Sequence, residues 1–438
     1  MPDPCGDQGP QALCVVVSPD SPPARTGWPK NETVVLWIAA VGATIYLAFL
    51  RIHDAWKTYF GADFLTFVRT GQRVASGGNP YTANAHYVYP PVVAILVAPF
   101  SHIALIDLWH TDIFLIVIAP IVSVSVFVAG IRSRIGSRMC PIAFVVCNFT
   151  VLFARYWPLG RELYLGQTDS FVLMILMIST LAASGSWTRC RAVLIGLAAL
   201  VKVWPAAIGL ALVQRGQTRK FAAIAALVAV LLIAPVMAFA LSGRLGLSGF
   251  FDNAFRARQQ DLVNDSVWGA PKLLFSYSGL ARPVVVSSDL QLLVSVVLAV
   301  WVIALLALTL TTKGDSPLCT WNVTFCVILL LPVSHRQYAI YVLPLLWLWA
   351  VRLIDRSERR TIDAWIFLVM LAWWVTQLFD WPYFGSSRHI SSLQYCIPFF
   401  CDMVSCTASV LGAWGAARSR RLATPPQNAS LRPEAVLG

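Results

Sequence analysis

The chain has 438 residues, 58% of them hydrophobic and 12% charged, with a formal net charge of +12 and a mean hydropathy of +0.68. A soluble domain carries about 25% charged residues, so this composition excludes a soluble globular protein and predicts an integral membrane one. The cations are dispersed among many loops with no basic domain or aromatic-basic motif, which excludes nucleic acid as the partner.

Residues 1–29 contain "SPDSPPARTGWPK" and one apolar run, "ALCVVV", too brief and too badly flanked for a signal peptide; an uncleaved, disordered cytoplasmic tail is expected. A bilayer crossing needs about 20 mostly apolar residues, because backbone polar groups must be bonded internally where water is absent. The sequence predicts spans at Thr33–Leu50, Ala104–Ile131, Pro141–Phe153, Ser170–Ser184, Phe221–Leu241, Leu290–Thr311, Trp321–Leu331, Ala339–Val351, Ile362–Leu378 and Leu393–Trp414. Pro91–Pro99 and Leu194–Val213 are shorter or Pro-broken and predict half-helices or re-entrant hairpins. Roughly ten to twelve membrane segments result. They form one polytopic all-α domain over 30–416, with an outer loop and interfacial helix in 51–89 and a second disordered cytoplasmic tail over 417–438.

Lys and Arg in short loops favour the cytoplasm. They cluster at Arg132, Arg134 and Arg138; Arg189 and Arg191; Arg215, Arg219 and Lys220; Arg352, Arg356, Arg359 and Arg360; and Arg418, Arg420 and Arg421. Placing these inside puts both termini in the cytoplasm and sends Arg51–Tyr89, Ala154–Asp169 and Ser242–Asp289 to the outer face. Those outer segments also hold Arg69, Arg73, Arg155, Arg161, Arg256 and Arg258, either as solvated surface or as partners of a lipid phosphate.

The stretch "ADFLTFVRTGQ" follows the first span. At helical period Phe64, Phe67, Val68, Gly71, Val74 and Ala75 share one face and Asp63, Thr66, Thr70 and Arg73 another, which predicts an amphipathic helix in the outer interfacial plane. Asp63 sits at its first turn, where a carboxylate serves as helix-start chemistry or as a general base toward a hydroxyl whose co-substrate is lipid-anchored. Asp54 is the competing acid. Lys202, mid-segment in "LAALVKVWPAAIG", either marks a functional cavity or snorkels to an interface. His335 and Arg336, in "LLLPVSHRQYAIYVLP", either fill a tight loop or pair a proton-exchanging imidazole with a phosphate-gripping guanidinium. Lys202 and Arg336 are the candidate phosphate-binding cations. Gln167, Asn264 and Tyr89 are possible substrate-binding residues, with loop or capping roles an equal explanation for Gln167, Asn264 and Asp265. The cysteines show no metal-ligand spacing; Cys396, Cys401 and Cys406 leave room for an outer-face disulfide. No cofactor is expected and no metal-binding residue is named, with metal dependence left open.

Taken together, "DFLTFVRTG" followed by "NPY", "YPPVVAILVAPF", "LGQTDSFVLMILM", "GLAALVKVWPAAIGLALV", "NDSVWG" and "LLPVSHRQYAIYVLP" resemble, in this order, glycosyltransferase family 87. This is the polyprenyl-phosphate-mannose-dependent mannosyltransferase group of the GT-C superfamily. The resemblance implies a GT-C fold, a catalytic Asp in the first outer loop, and a polyprenyl-phosphate-linked sugar as donor. It carries the base role onto Asp63 and a supporting role onto His335. The expected protein is a multi-pass enzyme of the bacterial plasma membrane that moves a sugar, mannose by default, to a lipid or glycan acceptor at the outer face with inversion. A secondary transporter or lipid flippase is the first alternative and a lipid-linked polymer ligase or polymerase the second.

Overall fold

The computed structural model describes residues 30–58, 60–82, 87–181, 188–212, 249–250, 252–253, 264–278, 281–312, 317–355, 360–379 and 391–423. They form an all-α membrane protein; among them the sheet-type pairing is a single bridge between Arg282 and Ser391. The helices are α1 (Lys30–Trp56), α2 (Ala62–Ala75), α3 (Pro91–Val97), α4 (Leu105–Ile135), α5 (Met139–Leu152), α6 (Trp157–Leu165), α7 (Asp169–Leu181) and α8 (Thr188–Val201). They continue as α9 (Gly269–Phe275), α10 (Ser288–Thr311), α11 (Pro317–Leu330), α12 (Leu343–Ile354), α13 (Thr361–Thr376), α14 (Ser392–Tyr395) and α15 (Ile397–Ala423). Short 3-10 segments follow α3, follow α8 at Trp204–Leu212, and precede α12 at Arg336–Val342.

Among the described residues five helical stretches are long and apolar enough to cross a membrane, or six if the pair α5 and α6, bent by 59°, counts as one broken span. That is fewer than the ten to twelve segments the sequence suggests. Five further apolar stretches, including α11 and α13, run only 10–17 residues. The reason is visible in α11: every residue from Leu318 to Leu329 is buried, so its apolar character serves contact with other helices on all sides rather than with lipid. By contrast α1 and α10 expose Val34, Ile38, Ile45, Leu292, Val296 and Val300. The expected half-helices are short and Pro-punctuated: α3 has Pro91 at its start, and α8 gives way to the 3-10 segment around Pro205. The expected outer loop 154–169 is instead largely the helix α6, and the last helix runs on to Ala423, past the expected boundary at 416. The expected span Phe221–Leu241, the cluster Arg215, Arg219 and Lys220, Arg256 and Arg258, and the tail 1–29 lie outside the described residues.

Cross-links between helices sort the chain ends onto two levels. Arg51, near the end of α1, donates to the carbonyls of Ala154 (2.8 Å) and Tyr156 (2.7 Å) at the α5–α6 bend. The Trp157 amide donates to Gln377 O at 3.0 Å, bringing the end of α13 to the same level. At the other level Arg191 of α8 donates to Thr320 of α11, and Arg352 of α12 meets Asp363 of α13 at 3.2 Å. Two of the predicted loop cations, Arg191 and Arg352, are therefore buried cross-links rather than solvated charges. Arg132 and Arg134, in the last turn of α4, sit at this second level, where a cation suits the negative helix end.

Between apolar helices in lipid there is little hydrophobic drive, so packing and buried hydrogen bonds hold them. Trp indoles supply several: Trp347 to Thr150 Oγ1 (3.0 Å), Trp374 to Thr150 O (3.0 Å) and Trp349 to Ser409 (2.9 Å), whose hydroxyl continues to Asn322 (2.7 Å). Asn148 and Asn322, each the start of a sequon, are fully buried. Cys396, Cys401 and Cys406 are free thiols, so no disulfide joins them.

Candidate active site

Helix α2 buries Phe64, Phe67, Val68, Thr70, Gly71 and Val74. Two residues depart from the sequence reading: Thr70 is buried, its hydroxyl satisfied by Thr66 O at 2.6 Å, and Ala75 is exposed. Helix α2 packs along α3 and the 3-10 segment after it, and its start meets the end of α6. Gly166 closes α6 in the left-handed conformation (φ +69°), and a Cβ there would lie 2.5 Å from the Phe64 Cβ. Only glycine permits both that backbone and that approach. At Gly61, just ahead of α2, a Cβ would stand 2.2 Å from Leu165 O. The start of α2 is thus pressed onto the turn that carries Gln167.

That contact brings Asp63 and Gln167 together. Gln167 Nε2 donates to Asp63 Oδ2, while Gln167 Oε1 accepts from Tyr89 OH (3.0 Å) and from Lys202 Nζ (3.2 Å). Lys202 Nζ also donates to Asp169 Oδ1 at 2.6 Å, and Tyr341 OH donates to the same oxygen at 2.7 Å. The ammonium stands 4.5 Å from the Tyr338 ring centroid and 5.7 Å from that of Tyr89. Four of the residues singled out from sequence, Asp63, Tyr89, Gln167 and Lys202, therefore meet in one network.

Lys202 lies just past the end of α8 and is only 5% exposed, which rules out snorkelling: its charge is met by a buried carboxylate. Asp63 is partly buried, and its Oδ1 has no hydrogen-bond partner among the described residues. Burial pushes its carboxyl up to about 6, against the opposing pull of the Lys202 ammonium and the Gln167 bond. Asp54, the competing acid, is exposed on its side chain and lies 3.7 Å from His53.

A second cluster flanks the first. Arg336 Nε meets Asp265 Oδ2 at 3.1 Å, with both side chains buried. Burial raises the Asp265 carboxyl and Arg336 draws it back down. Asn264 spends its amide on the chain: Nδ2 donates to Pro332 O (2.9 Å) and Oδ1 accepts from Ser334 N (2.7 Å). It ties one loop to the other. His335 precedes the 3-10 segment, and its ring packs edge-on against Tyr338 at 5.9 Å, one residue away from the Lys202 ammonium. Both proposed phosphate-binding cations, Lys202 and Arg336, are thus partnered by buried acids.

Sequence reasoning passed over Asp169, Tyr341 and Glu162. Glu162 is fully buried in α6 and accepts from Ser170 N (2.5 Å) and Ser170 Oγ (2.7 Å), fixing the first turn of α7 and with it Asp169. The signal was present in "RELYLGQTDS", where a Glu and an Asp in an apolar neighbourhood each demand a partner. Beside the network, α6 presents its exposed side, Gly160, Arg161 and Tyr164, to a cavity of about 460 Å³ that Arg155, Trp157 and Phe379 also line. Arg161 is near enough to Asp63 to lower its carboxyl.

The sequence model of glycosyltransferase family 87 matches residues 87–334. The match takes in Tyr89, Gln167, Asp169, Lys202, Asn264 and Asp265; Asp63 precedes it and His335 and Arg336 follow it directly. No curated protein matches the chain. With more than half of its length matched, the chain belongs to glycosyltransferase family 87 and is a membrane glycosyltransferase.

Proposed function

We propose that the enzyme moves a sugar, mannose by default, from a polyprenyl-phosphate donor to a lipid or glycan hydroxyl at the outer face of a bacterial plasma membrane. The observation that carries this reading is the Gln167 hydrogen bond that holds one oxygen of Asp63 and leaves the other unpartnered among the described residues. Asp63 Oδ1 takes the proton of the acceptor hydroxyl as the hydroxyl oxygen attacks the anomeric carbon, and the bond from that carbon to the lipid phosphate oxygen breaks on the opposite side. A single displacement inverts the centre, so a β-linked donor gives an α-linked product.

The leaving polyprenyl phosphate gains negative charge, so a cation at its oxygens stabilises the transition state more than the ground state. Lys202 acts in this reading through Gln167 and Asp169, holding Asp63 in register, and Arg336 holds the Asp265 loop. The phosphate role falls more naturally to Arg155 and Arg161, which face the open cavity beside α6. The outer-face assignment rests on the collection of Arg132, Arg134 and Arg138 at the level opposite Asp63. The fold is expected to be of GT-C type.

The test is direct. Purified protein is incubated with defined polyprenyl-phosphate sugars and a membrane lipid extract, and products are identified by mass spectrometry. A new glycosylated product formed with one of these donors supports the reading; activity only with nucleotide sugars overturns it.

A further inference from the structure

A second site runs along α5 from Met139, at the end of the molecule remote from Asp63, to Thr150. Helices α4, α5, α12 and α13 enclose a wholly apolar groove of about 190 Å³. That exceeds the roughly 150 Å³ of an apolar cavity that takes up a benzene-sized guest. Its walls include Ile131 and Ile135 of α4, Met139 and Ala143 of α5, and Val351 and Ile354 of α12. It opens sideways, because Ile142, Val146 and Ile354 on its rim remain 43%, 54% and 45% exposed. The deep end stops at Thr150 and Trp347, whose hydroxyl and indole are bonded to each other at 3.0 Å, so nothing polar faces the lumen unspent there.

The mouth is charged. Arg134 stands three residues beyond Ile131 and seven beyond Phe127, both groove-lining, so it shares their helix face. Arg138 precedes Met139 and stands four residues before Ile142, also both groove-lining. Arg132, Arg134 and Arg138 are exposed, and neither Arg132 nor Arg134 has an ion pair among the described residues. Across the mouth Arg352 and Arg360 pair with Asp363, and Asp355 follows Ile354. Among the described residues, cations outnumber acids at the mouth.

An enclosed apolar slot open to the bilayer, capped by arginines at interface depth, matches a phospholipid with an anionic headgroup: one acyl chain in the slot and the phosphate at the guanidinium groups. We infer that this groove is a structural binding site for an anionic phospholipid, separate from the site around Asp63. A polyprenyl donor is the competing occupant. Its phosphate belongs at the other end of the molecule, and the groove carries its cations at this one.

Native mass spectrometry of the purified full-length protein, titrated in detergent with phosphatidylglycerol or phosphatidylcholine, tests the site. One phosphatidylglycerol should be retained at least tenfold more tightly than phosphatidylcholine. Ala143→Trp, which fills the slot, and the double variant Arg134→Gln/Arg138→Gln, which leaves the slot intact, should each abolish that preference. The double variant alters exposed side chains only, so it keeps the test valid should Ala143→Trp fail to fold. Equal retention of the two lipids, preference unchanged in the charge variant, or displacement of the bound phospholipid by a polyprenyl phosphate would each overturn the inference.

Discussion

Asp63 carries the chemistry in this account, and its surroundings dictate how its activity should depend on pH. A general base must be unprotonated, and burial raises this carboxyl to about 6. Turnover at limiting substrate should therefore fall about tenfold per pH unit below that value and be flat above it; a pH profile with its acid limb near 4 would mean that Asp63 is not the titrating group. Lys202 makes a second prediction. Replacing it with Met leaves Asp169 buried without its cation, at a cost of about 3–5 kcal/mol. The measured yield of folded protein in detergent should drop, and Lys202→Met/Asp169→Asn should restore most of it without restoring turnover. Asp63, Lys202 and Gln167 were legible in the sequence because a polar residue in an apolar run announces a cost. Asp169 and Tyr341 were not, since they lie 33 and 139 residues from Lys202 in the chain and no local pattern encodes such a meeting.

At the scale of elements, the site depends on α2 being seated against the turn after α6. Gly136 and Gly166 both have positive φ, but a Cβ at Gly136 meets open space whereas one at Gly166 collides with Phe64. Gly136, with φ 75° and ψ 158°, lies in a region essentially reserved for glycine, so Gly136→Ala should cost about 1–3 kcal/mol from backbone strain alone. Gly166→Ala should cost more and act locally: hydrogen exchange should show α2 losing protection while α11 keeps it, and turnover should fall with it. Equal protection of α2 in the two variants would separate this seating from catalysis. The amphipathic pattern of α2 was readable because one half of it meets protein and the other does not. Whether α7, α8 and α11 cross the bilayer was not, because an apolar run signals burial without saying whether lipid or protein does the burying.

For the whole molecule, the levels defined by Arg51 at one end and by Arg191 and Arg352 at the other place Asp63 opposite Arg132 and Arg134. Positional bias of basic loops predicts that reporter fusions near Gly77 read as external and fusions near Gly136 as cytoplasmic; a cytoplasmic signal near Gly77 would place the base in the wrong compartment. The charge clusters were legible as a pattern, although Arg191 and Arg352 have been drawn inward as cross-links, which composition does not foretell. If Asp63 is the base for sugar transfer from a polyprenyl phosphate, the turnover of purified Asp63→Asn and Asp54→Asn proteins with a defined polyprenyl-phosphate sugar should separate the two acids. Asp63→Asn should lose about 10² to 10⁴ in turnover while remaining folded, and Asp54→Asn should be unchanged; undiminished turnover in Asp63→Asn would rule out Asp63 as the base.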